Sequence, residues 1–119
     1  MRNMSFSATT EQIRNGTKTV TRRLGWTFLK PGDVAMTTSQ CQGLKKGEKV
    51  EKIRPIRIVS VRREKLHCIP KNDLALEGFP DIGKWDFIDM FCKMNKCKRW
   101  DLVTRIEFEY ICIQLKEKP

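Results

Sequence analysis

In residues 105–112, RIEFEYIC, charged and apolar side chains alternate as far as Tyr110. Only an extended chain brings every second side chain to one side, so this stretch is a β-strand with one covered and one wet face. Ile106, Phe108, Tyr110 and Cys112 point to the covered side; Arg105, Glu107 and Glu109 point away. A second stretch, IRIVSVRR at 56–63, is as rich in β-branched residues but patterned differently. Ile56 and Ile58 take one face, Val59 and Val61 the other. Apolar residues on both faces place that strand inside a packed sheet or barrel. Pro55 lacks an amide proton, so it begins the strand or sits on an edge.

The helices are short. SATTEQIRNG (7–16) carries Thr9 followed by Gln12, the spacing of a capping box, with Glu11 in the electropositive first turn and Gly16 placed to end the helix. KTVTRRL (18–24) then turns β-branched and reads as a strand. KPGD (30–33) has its Pro and Gly placed for a turn, and VAMTTS (34–39) is the next strand. The Lys- and Glu-rich loop 42–52 is solvated. IPKNDLALEGFP (69–80) is a short helix ended by Gly78, with Pro80 beyond. GKWDFIDMFCKMN (83–95) is the clearest helix, with Trp85, Ile88, Phe91 and Cys92 on one face. The order β, α, β, β, loop, β, α, α, β describes a single α+β domain, 1–119, around a curved or mostly closed sheet.

Composition narrows the class. With 119 residues, 39% hydrophobic and 32% charged, the chain is globular and needs no staples. No apolar run reaches membrane-spanning length and the N-terminus has no export signal, so no membrane partner and a cytoplasmic location are expected. The net charge of +10 attracts polyanions, which points to RNA or a nucleotide. Its clusters are Arg22-Arg23, Lys45-Lys46, Lys49 with Lys52, Arg62-Arg63 and Lys93 to Arg99. The five Cys (41, 68, 92, 97 and 112) contain no CxxC pair, so neither a metal nor a cofactor is expected. Cys92 and Cys112 read as core. Trp85 reads as core, Trp100 as packing the last helix, and Trp26 either stacks a base or caps the sheet.

The helix, then NGTKTVTRR, LKPGDVAM, IRIVSVR, DLALEGFP and RIEFEYI follow one another as in the ASCH domain family, which the chain resembles over residues 4–113. The resemblance implies a small PUA-like β-barrel with short flanking helices, associated with RNA. Some members are N4-acetylcytidine amidohydrolases; another is a ribonuclease. The amidohydrolase members use a Lys and a Thr in this Gly-x-Lys-x-x-Thr stretch with a downstream Glu, which here are Lys18, Thr21 and Glu77. The loop 42–52 and the basic segment CKMNKCKRW (92–100) match no shared motif.

The chemistry suits those residue types. Amide hydrolysis needs a nucleophile, a base and a stabilised oxyanion. A Thr hydroxyl is inert without a base, and Lys18 serves only where burial or Arg22 lowers its pKa. Glu77 orients the Lys or shuttles a proton. Three residues apart on a regular strand, Lys18 and Thr21 point to opposite faces, so they converge only if the chain is still turning at Gly16–Thr19 or bulges there. Alternation likewise puts one of Arg22 and Arg23 on a pocket and the other on the surface. A nucleoside-binding cleft of Lys18, Arg22, Arg23 and Trp26, an amidohydrolase, a ribonuclease and an RNA-binding module without chemistry all remain open.

Overall fold

The computed structural model describes residues 1–39 and 50–112. Five strands form one mixed sheet: β1 (Arg2–Ser5), β2 (Val20–Arg23), β3 (Val34–Thr38), β4 (Lys52–Lys65) and β5 (Leu102–Tyr110), in the order β1-β3-β4-β5-β2. β1 runs parallel to β3; the other pairs are antiparallel. The sheet curls into a half-barrel, the expected α+β architecture, with β1 and β2 as its edges. Three helices accompany it, α1 (Thr10–Arg14), α2 (Asp73–Leu76) and α3 (Lys84–Asn95). The loop expected at 42–52 falls mostly outside the described residues, as does Cys41.

β4 runs through Pro55, which pairs with Met36 on one side and precedes the β5 ladder, starting at Ile56, on the other, so this proline does not begin the strand. Its carbonyl accepts from Ile111 N (3.2 Å), so the missing amide proton faces the β5 side, while on the β3 side the register shifts between Met36 and Thr38. There the Thr37 hydroxyl donates to Arg54 O (2.6 Å) and accepts from Arg54 N (2.9 Å), restoring the ladder with a side chain. Thr37→Val, which keeps the shape, leaves both backbone groups of Arg54 without that partner. The expected cost is about 1–3 kcal/mol, read as a lower urea midpoint at unchanged slope.

A second irregularity reverses part of the face assignment in β4. Ile58 pairs with Phe108, but Ser60 pairs with Glu107 and Val61 with Ile106. The extra residue at Val59 shifts the alternation by one. Val59 is therefore exposed, and Val61 joins Ile56 and Ile58 on the core side.

Two apolar clusters result. Met4, Phe6, Ile13, Ile56, Ile58, Ile106 and Phe108 belong to the first. Leu66, Ile69, Leu74, Phe87, Ile88, Phe91 and Val103 form the second, against α3. Alternation in β5 assigns Ile106 and Phe108 to one face and Val103 and Arg105 to the other. Arg105 was expected on a wet face, yet it is buried. Cys112 lies beyond the end of β5 and is exposed rather than core-facing. On α3 the buried face is Phe87, Ile88 and Phe91. Trp85 is 50% exposed and Trp100 61%, so neither is core. Trp85 instead carries Lys84 Nζ and Arg99 Cζ over its ring, at 5.6 and 5.4 Å.

Candidate functional site

The motif begins where α1 stops. Gly16 has φ +79°, Thr17 N donates to Gln12 O (3.0 Å) and Gly16 N to Ile13 O (3.2 Å), the paired bonds of a Schellman ending. The other end of α1 is not the expected capping box. Thr9 makes no side-chain cap bond, and Gln12 donates instead to Gly78 O (3.1 Å). That bond ties α1 to the turn after α2, where Gly78 (φ +101°) would set a Cβ 3.0 Å from Gln12 Cγ. The chain is still turning through residues 17–19 and becomes a strand only at Val20. Thr19 N donates to Leu76 O (2.9 Å), which draws Lys18 towards the C-terminus of α2.

Lys18, Thr21 and Glu77 line one cleft of about 320 Å³. β2 is an edge strand, so residues from both faces reach the cleft at its rim. This is also why Arg22 and Arg23 both line it, against the expectation that only one would. Phe6 and Trp26 close one side; Phe79 and the α3 residues Phe87, Met90, Phe91 and Met94 form the other.

The polar end is fully engaged. Lys18, 3% exposed, donates from Nζ to Glu77 O (2.6 Å) and Glu77 Oε1 (3.1 Å). Burial pushes the Lys18 pKa down; the Glu77 charge and hydrogen bond oppose that, while Arg23 and Arg22 reinforce it, and the net direction is down. The other Glu77 oxygen, Oε2, accepts from Arg22 Nη1 (2.9 Å). Arg22 also donates from Nε and Nη2 to Glu64 Oε2 (2.9 and 2.7 Å) and from Nη2 to Asp73 Oδ2 (2.6 Å). Its guanidinium, expected to meet a ligand, is thus committed to three carboxylates. Arg105 Nε donates to the same Asp73 Oδ2 (2.8 Å). Burial alone raises the Asp73 pKa, but hydrogen bonds from Arg105 and Arg22 outweigh it and hold the carboxyl below its ordinary value.

On the other face of β2 the Thr21 hydroxyl accepts from Arg23 Nε (3.3 Å). Arg23 Nη2 donates to Ser5 O (2.5 Å), bridging the two edge strands across the opening of the half-barrel. Its guanidinium carbon lies 4.5 Å from the Phe6 ring centre and 5.8 Å from that of Trp26. Trp26 itself has φ +56° and packs on the first apolar cluster, so it belongs partly to the core and partly to the cleft.

The chain resembles, over 92% of its length, the ASCH domain of a protein from Lactobacillus crispatus JV V101, with a TM-score of 0.59, 15% identity and 79% of that chain covered. The fold is ASCH-like. A DUF984 protein from Enterococcus faecalis V583 superposes with a TM-score of 0.61 at 15% identity over 86% of this chain, which spans 66% of that protein's length. The hypothetical protein PH0355 matches at 0.58 with 20% identity, over 93% of this chain and 100% of its own. No protein-family model and no curated protein matches the sequence.

Within this ASCH-like fold, sequence reasoning missed Asp73, Glu64 and Arg105, and the α3 wall of the cleft. Asp73 reads locally as a first-turn acid favoured by the helix dipole, a role that gives no hint of Arg22. Arg105 stands opposite Arg22 on one side and Arg62 on the other, a placement that only the strand register reveals.

Proposed function

We propose that the β2 cleft binds a nucleoside and hydrolyses the amide of N4-acetylcytidine. The observation that carries this reading is Lys18: a buried amine with a lowered pKa, held by Glu77 and sharing a cleft with a threonine hydroxyl. A lysine becomes a useful general base when desolvation lowers its proton affinity. Once Lys18 has given up its proton, its amine takes the Thr21 proton as Oγ1 attacks the acetyl carbon. The C–N bond then breaks, Lys18 returns that proton to the departing N4 nitrogen, and water releases acetate from Thr21. Glu77 keeps Lys18 in place throughout. Trp26, half-buried at the cleft with Arg23 beside it, presents the ring on which a cytosine stacks. The volume of the cleft suits one nucleoside rather than a strand.

Purified protein incubated with N4-acetylcytidine is expected to release acetate and cytidine. A folded protein that releases neither overturns the reading. The net charge of +10 favours a second reading, attachment to an RNA polymer. That predicts log K falling by ~0.7 per neutralised phosphate against log salt, whereas nucleoside binding stays flat.

A further inference from the structure

Behind Lys18 the charges alternate in sign along one chain of contacts. Lys18 meets Glu77, Glu77 meets Arg22, Arg22 meets Asp73, and Asp73 meets Arg105, at 3.1, 2.9, 2.6 and 2.8 Å. Glu64 branches onto Arg22 at 2.7 Å. Three cations face three carboxylates, so the cluster is neutral as a whole. Arg22 and Arg105 are direct partners across the β2–β5 ladder, on the same face. Two buried arginines so placed repel unless an anion lies between them. Asp73 Oδ2 is that anion, accepting from both.

We infer that Asp73 and Arg105 are positioning residues: they hold the Arg22 guanidinium on Glu77, and so hold Glu77 on Lys18. The consequence for hydrolysis rests on the proposed function; the electrostatic coupling does not. The groups facing this line are few. Arg23 approaches from β2 and Glu64 from β4; Arg62, also on β4, stands opposite Arg105 and donates to Glu64 Oε1 (3.2 Å), and Glu107 on β5 lies 3.7 Å from Arg105. Tyr110, also on β5, donates its hydroxyl to Lys18 O (2.5 Å) and sits under Arg54; burial pushes that hydroxyl up to about 12, so it stays neutral. The α3 residues lining the cleft, Phe87, Met90, Phe91, Met94 and Asn95, carry no charge.

Coupling along the line has a sign that packing lacks. Asp73→Asn or Glu64→Gln removes a negative charge from beside Arg22, so the uncompensated positive charge makes Lys18 give up its proton at lower pH. Arg105→Gln removes a positive charge and moves the titration to higher pH. The readout is Lys18 titration by NMR on protein carrying ¹⁵N at lysine Nζ, with the pH profile of kcat/KM alongside. Glu64 is the least buried member, so Glu64→Gln reports even if Asp73→Asn fails to fold. The expected result is opposite displacement by the two classes, with a loss of about tenfold in kcat for Asp73→Asn. Unmoved Lys18 titration in Glu64→Gln and Arg105→Gln overturns the inference. Absent turnover by the wild type overturns only the hydrolytic reading, because the titration still decides the coupling.

Discussion

Replacing Lys18 with methionine is expected to lower kcat for the proposed N4-acetylcytidine hydrolysis by about 10²–10⁴-fold, the contribution of a positioned base. The informative comparison is Lys18→Arg. Arginine keeps a cation facing Glu77 Oε1, but its guanidinium stays charged at every working pH and cannot take the Thr21 proton. Both variants are therefore expected to lose activity alike. An arginine variant retaining more than a tenth of the rate would mean that Lys18 acts as a fixed charge. The wild-type pH profile carries the same information. Desolvation holds Lys18 below its ordinary pKa of about 10.4, so kcat/KM rises with pH and levels off before that value. Thr21→Ser, which keeps a hydroxyl, is expected to retain turnover, and Thr21→Val to lose it.

Fold and site were legible to different depths, and for a physical reason. Strand periodicity is a local property, and so β5 and the core residues Ile106 and Phe108 could be read directly from alternation. Gly16 and Gly78 were equally legible, because a helix ending at positive φ asks for glycine whatever surrounds it. What failed depended on a partner. Val59 and Val61 were assigned by uninterrupted alternation, and one bulged residue, set by pairing with β5, changed both assignments. Trp85 fits the apolar face of α3 by spacing, yet the second cluster is filled by Phe87, Ile88 and Phe91 and leaves it outside beside Arg99. The site divides the same way. Lys18 and Thr21 lie in one short motif, and the turn that lets them share a cleft begins at a recognisable glycine. Glu77 reached the motif through the place of DLALEG in the family resemblance, and its contacts come from the docking of α2. Asp73 and Arg105 carry no local sign of their roles, because each is defined by charges 32 to 51 residues away.

Arg22→Met is expected to be the most destabilising single change at the site, costing about 3–5 kcal/mol at neutral pH. The methionine fills a similar volume, so the loss comes from the carboxylates left behind. Without Arg22, Glu77 keeps only Lys18, Glu64 only Arg62 and Asp73 only Arg105. Each carboxylate has then lost one of its two cations, so its charged form is less favoured than in the wild type and the variant's stability depends less on pH. In the wild type Asp73 is held below its ordinary value, so its stabilising effect is complete above about pH 4 and is lost as pH drops through the folded-state pKa. The gap between the two proteins should therefore be widest near pH 7 and narrow towards pH 3, below the ordinary carboxyl value. Urea unfolding at both values measures it. An equal gap at both pH values would place the damage in packing, and the network would then hold the fold together without setting the charge at Lys18.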